Sequence, residues 1–171
     1  MTYSGDLINL VGGYPSWTPT STYTGGPVGN APTPSGGILQ LVGGTQDVNT
    51  ITFSSAVTNP ALAIWSLGNG STPASFDFIG SVPTIVAGGP SAEYGGGGIF
   101  PCPLSVCGVE GNGTVVFSGT YTSISWQNPG GENWFGVTAG VAATPEPGFY
   151  ALLGLGLGGL AVVRWKLSRN S

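Results

Sequence analysis

Ahead of residue 164 the chain carries seven acidic side chains, Asp6, Asp47, Asp77, Glu93, Glu110, Glu132 and Glu146, and no Lys, Arg or His. That inventory removes Ser-His-Asp and Cys-His nucleophilic catalysis, Schiff-base chemistry on lysine and cationic clamps for oxyanions. The acid–base chemistry left is that of two carboxylates flanking a glycosidic bond, about 5–9.5 Å apart. Asp77, Glu93, Glu110 and Glu132 are the acids available for it. Nothing in their spacing pairs them, so the reading is a non-catalytic protein, with a glycosidase as the minor alternative. With no positive charge ahead of residue 164 to neutralise phosphates, the body offers nucleic acid no partner surface.

Binding chemistry has more to work with. Trp17, Trp65, Trp126 and Trp134, with Tyr14, Tyr23 and Tyr94, offer rings on which a sugar could stack. Trp65 in "AIWSL" and Trp126 in "SISW" sit in strand patterns and belong to a core. Trp17 and Tyr94 lie in Gly/Pro-rich loops, which makes them the candidate glycan contacts. Asp77, Glu110 and loop carbonyls are oxygen ligands of the kind calcium takes, but no Asp-rich loop with ligand spacing is present. Zinc lacks its ligands, since there is no His and there are only two Cys. No metal and no cofactor are expected. Gly154, Gly156 and Gly159 satisfy a dinucleotide-binding spacing, yet only twelve residues follow them, too few for the βαβ unit it requires.

Cys102 and Cys107 enclose four residues in "CPLSVC". In an oxidising compartment they would form a local disulfide; two free thiols are the alternative.

The elements that must carry these groups are strands. Gly (32) and Pro (14) are abundant, but only 6% of residues are charged and 11% are aromatic. Such a chain has apolar surface to bury and little charge to keep it solvated, which argues against disorder and for an all-β domain with many turns. Strand patterns recur at 37–42, 48–53, 61–67, 74–79, 113–117, 121–126 and 134–141, separated by turn formers such as "TNP", "GNGS" and "EGNG". The expected fold is an antiparallel β-sandwich, jelly-roll-like, over residues 37–142. Residues 1–36 read as a loop-rich segment with one strand, and 88–108 as a long loop or hairpin closed by the cysteines. "INLVGG" (8–13) and "LQLVGG" (39–44) echo one another, as two strands ending in the same Gly-Gly turn.

The remaining residues read as an address. Residues 143–147 form a Pro-Glu-Pro junction, 148–165 a transmembrane helix and 166–171 a basic tail. The sixteen residues "GFYALLGLGLGGLAVV" between Pro147 and Arg164 contain no charge. As a helix they span about 24 Å, and snorkelling of Arg164 and Lys166 extends that towards the ~30 Å bilayer core. Arg164, Lys166 and Arg169 are the only basic residues, all behind the span. The positive-inside rule then leaves the tail cytoplasmic and the body outside.

Pro145-Glu146-Pro147, a short Gly/Leu-rich helix and a terminal basic cluster, in that order from Thr144 to Arg169, resemble the PEP-CTERM sorting signal of Gram-negative bacteria. The resemblance implies export, transient anchoring in the inner membrane, and recognition and cleavage by an exosortase. The product would be a cell-surface or extracellular-matrix protein, in a family associated with biofilm and exopolysaccharide systems. Pro145, Glu146 and Pro147 carry over as recognition positions. Two prolines keep that junction extended and short of hydrogen-bond donors, as a processed peptide requires. Members of the family usually begin with a secretory signal peptide, and "MTYSGDLINLVGGYPSW" has neither a basic nor an apolar leader region. The expectation is therefore an N-terminally truncated or mis-started form. The body, at 51–68 and 109–141, is similar to a β-sandwich domain recurrent in the same family. The expected function is structural or adhesive, with a carbohydrate-binding module contacting exopolysaccharide as the alternative.

Overall fold

The structure, a computed structural model, describes residues 1–12, 15–33, 37–103 and 105–142, and Leu155. The strands in the described residues are β1 (Thr2–Ser4), β2 (Leu7–Val11), β3 (Ile38–Leu41), β4 (Asn49–Thr58) and β5 (Pro60–Leu67). They continue with β6 (Ala74–Ile79), β7 (Thr84–Gly88), β8 (Gly97–Gly98), β9 (Phe100–Cys102) and β10 (Ser105–Gly108). The chain closes the sheets with β11 (Gly111–Val116), β12 (Thr120–Gln127) and β13 (Phe135–Val141). Two sheets result, in the orders β1-β4-β12-β6-β10-β9 and β2-β3-β13-β5-β11-β7, and β8 adds to β11 in parallel. The protein is an all-β sandwich. Take only β3–β6 and β10–β13, numbered one to eight along the chain. One sheet then runs 1-8-3-6 and the other 2-7-4-5.

The alternating segments form strands because one face of each is dry. In β4 the inward side chains Asn49 and Ile51 are buried while Thr52 is exposed. The strand pairs with β1 and β12, and Asn59, at φ +50°, makes the turn into β5. The Asn59 side chain accepts the Gly119 N–H at 3.0 Å, so that turn also secures the entry to β12. Between the sheets lie Ile51, Leu62, Ile64, Phe76, Phe117, Trp126, Phe135 and Val137, all buried. Each such Leu, Ile or Phe contributes about 1.5–3 kcal/mol, against about 1 kcal/mol net for a ladder hydrogen bond. Packing between the sheets therefore dominates. Trp126 donates its indole N–H to Asn128 at 2.8 Å, and the Asn128 amide donates to the Ser75 carbonyl at 2.7 Å. A ring in the middle of the core is thereby satisfied.

Strand β5 is buried along its whole length, on both faces. Its inner face is core. Over its outer face runs the 15–33 segment, which sets Trp17 and Tyr23 against Ile38, Ala63 and Trp65. Two short 3-10 turns, Pro15–Trp17 and Thr20–Thr22, shape this strap. The Thr114 hydroxyl donates to the Tyr23 carbonyl at 2.8 Å and holds the strap to β11.

Local pattern meets part of this and misses part. The "EGNG" expected as a turn is partly inside β11, where Asn112 and its neighbours are buried. The 88–108 stretch contains β8 and the β9–β10 hairpin, joined by a Cys102–Cys107 disulfide. Thr84–Gly88, unassigned by pattern, forms edge strand β7. The repeated "INLVGG" and "LQLVGG" supply β2 and β3, which pair antiparallel with Leu10 opposite Leu39. No helix among the described residues is long and apolar enough to cross a membrane, and 148–165 lies outside them apart from Leu155.

Candidate functional site

The site begins with a bulge. Between Gly111 and Gly113 the β5–β11 register shifts, pairing Gly111 with Leu67 and Gly113 with Ile64. The extra residue lets Leu67 enter the core beside Leu62 and Ile64. Ser66 takes φ +57° there, and Glu110, in the turn before β11, takes φ +50°. Such a backbone costs a non-glycine residue about 1–3 kcal/mol. The two strained residues hold each other, with the Ser66 hydroxyl donating to Glu110 Oε2 at 2.5 Å.

Asn112, fully buried in β11, ties three segments to that point. Its side-chain oxygen accepts the Ser66 N–H at 2.9 Å, and its amide donates to the Glu110 carbonyl at 2.8 Å and the Gly95 carbonyl at 3.1 Å. The last of these anchors the 91–95 turn. That turn closes on itself through the Ser91 N–H to the Gly95 carbonyl, at 2.7 Å, and meets the strap through the Ala92 N–H to the Thr18 carbonyl, at 2.6 Å. Gly96 passes so close to the Glu110 carbonyl that a Cβ would stand 1.9 Å from its oxygen, at φ +73°. Only glycine fits this crossing.

The turn delivers Tyr94. Its ring lies 5.4 Å from Trp65 and 5.6 Å from Trp134, and those two indoles are 5.0 Å apart. Trp65 rises from the outer face of β5, and Trp134 stands just ahead of β13. Together with Val11, Ile38 and Gln40 the three rings bound a hollow of about 90 Å³. Tyr94 and Trp134 also border a second hollow of about 170 Å³, whose other walls are Ser66, Asn69, Glu110, Glu132 and Asn133. One cleft thus has aromatic rings on one side and two carboxylates on the other.

Glu132 is half-buried and accepts the Gly68 N–H at 2.6 Å. Burial pushes its carboxyl up to about 7; the Gly68 hydrogen bond pulls it down, and the charge of Glu110 raises it further. Near neutral pH Glu132 is therefore divided between its acid and carboxylate forms. The arrangement can stack a sugar ring, accept hydrogen bonds from hydroxyls or an amine, and donate through asparagine amides and a protonated Glu132.

The residues expected from the sequence fare unequally. Tyr94 is 48% exposed at the cleft. Trp17 is 3% exposed, its ring edge-on to Tyr23 at 5.0 Å, so it is not a surface contact. The strap that looked like an open loop is packed on the outer face of β5, and Trp17 fills that interface. Trp65 and Trp126 are buried as expected. Of the four acids considered, Asp77 accepts the Ser105 hydroxyl at 2.7 Å and Glu93 the Ser16 hydroxyl at 3.2 Å, and neither lines the cleft. Glu110 and Glu132 are brought together. No grouping of three or more His, Cys, Asp and Glu side chains suited to a metal occurs among the described residues. Pro145, Glu146, Pro147, Arg164, Lys166 and Arg169 lie outside those residues. The partnership of Trp134 and Trp65 was not foreseen. Its one sequence signal is that "WSLG" closes one strand pattern and "ENWFG" opens another, each beside a Gly-rich turn.

The chain matches no protein-family model, no curated protein and no solved structure.

Proposed function

We propose that the protein is an exported cell-surface or matrix component whose β-sandwich, jelly-roll-like in its strand order, binds a glycan in the cleft of Trp65, Tyr94 and Trp134. One observation carries this reading: the Tyr94 and Trp134 rings, backed by the buried Trp65, share a cleft with Glu110, Glu132, Asn69 and Asn133. Sugar C–H faces stack on rings while hydroxyls need convergent polar partners, and this cleft has both. Jelly-roll sandwiches include lectin domains, a support by analogy of fold alone. The test is pull-down on insoluble polysaccharides, including exopolysaccharide. Trp134→Ala is expected to weaken capture at least tenfold, about 1.4 kcal/mol. Undiminished capture by that variant refutes the site.

Delivery is proposed from the sequence. An exosortase recognises Pro145-Glu146-Pro147 while a helix over 148–165 holds the chain in the inner membrane, basic tail inward. Cleavage then releases the body to the envelope or matrix. Mass spectrometry of surface material is expected to find no peptide from residues 150–171; an intact C-terminus there overturns cleavage.

A second reading, glycoside hydrolysis, draws on the pairing of Glu110 and Glu132 in one cleft and on the raised pKa of Glu132, as a proton donor needs. The non-catalytic reading is preferred because an oxygen of each carboxylate already holds the fold, through Ser66 and Gly68. Release of reducing ends from a bound polysaccharide, lost in Glu132→Gln, would reverse that preference.

A further inference from the structure

We propose that the cleft selects sugars bearing a free amine, as in a de-N-acetylated hexosamine polymer, over neutral and acidic sugars. The inference rests on the glycan reading above and adds the class of sugar. Glu110 and Glu132 both line the cleft, and no Lys, Arg or His occurs before residue 164 to offset them. A neutral sugar strips both acids of water and answers none of their negative charge, which on Glu132 is partial near neutral pH, and a uronic acid is repelled. An ammonium group answers both. It takes hydrogen bonds from the carboxylates and lies favourably against the faces of Tyr94 and Trp134.

The aromatic wall serves the same guest. Tyr94 and Trp134, with ring centroids 5.6 Å apart, border the hollow that holds both acids, so a sugar stacked on them brings its amine to Glu110 and Glu132.

The experiment is titration calorimetry of the protein with β-1,4-linked glucosamine oligomers and with their N-acetylated counterparts, below the amine pKa and at low and high salt. The free-amine oligomer is expected to bind at least about tenfold more tightly. Glu132→Gln and, separately, Glu110→Gln should each reduce that preference, and salt should weaken only the free-amine complex. Melting curves establish that each variant is folded. Equal binding of both oligomers, abolished by Trp134→Ala, would overturn amine selection and leave the glycan site standing. Binding of neither overturns both. Amine binding that survives Trp134→Ala would show attraction to the acidic surface at large and overturn the proposal.

Discussion

The side-chain oxygen of Asn112 accepts the backbone N–H of Ser66 at 2.9 Å, linking the start of β11 to the bulge in β5. Its amide reaches the Glu110 and Gly95 carbonyls, so one buried side chain holds three segments of the cleft in place. Asn112→Ala leaves buried backbone groups unpaired, and stability is expected to fall by about 2–4 kcal/mol. Urea denaturation measures it, and a loss under about 0.5 kcal/mol would deny Asn112 its role as a clamp.

Two tryptophans separate folding from binding. Trp17 is enclosed between strap and sheet, so Trp17→Ala is expected to cost about 3–5 kcal/mol, the usual figure for a buried indole. Trp134 is only half-buried, and its loss should cost markedly less stability while removing a wall of the cleft. Thermal melts of the two variants compare them directly. Equal destabilisation would mean that Trp134 is a core residue.

Glu132 makes stability depend on pH in a defined window. The folded protein holds that proton to about pH 7, whereas the unfolded chain releases it near 4.5. Between those values the folded state binds more protons than the unfolded one, so this residue's contribution declines as pH rises through the window and levels off above it. Glu132→Gln is expected to flatten that part of the profile. Chemical denaturation at a series of pH values tests this, and a slope unchanged in the variant assigns the effect to other groups.

The Cys102–Cys107 bond closes a short loop, with five residues of sequence separation. By the chain-entropy relation its removal costs about 2 kcal/mol. Replacing both cysteines with serine should lower the melting temperature without altering the cleft, since neither cysteine lines it. Loss of glycan capture in that variant would tie the hairpin to the site.

Much of the fold is legible in local pattern. "ALAIWSL" and "ASFDFI" correspond closely to β5 and β6, because alternation and β-branched or aromatic residues are properties of a few neighbours. Trp17 shows the limit of that logic. Its surroundings are all turn formers, and only the outer face of a strand far along the chain buries it. The short strands β7, β9 and β10 are similarly obscure, for runs of three to five residues among Gly and Pro neighbours read as loop until an adjacent strand supplies the ladder.

The cleft divides in the same way. The absence of His, Lys and Arg before residue 164 is a matter of composition, and it restricts the chemistry without any coordinates. Which acids meet is another matter. Glu110 and Glu132 come together because β11 and β13 flank β5 on either side, carrying the turn before one and the loop before the other to the same end of the sandwich. Composition and alternation act over a few residues, so the amino-acid order alone determines an acidic all-β chain. Contact between strands distant in sequence decides where its rings and carboxylates share a wall.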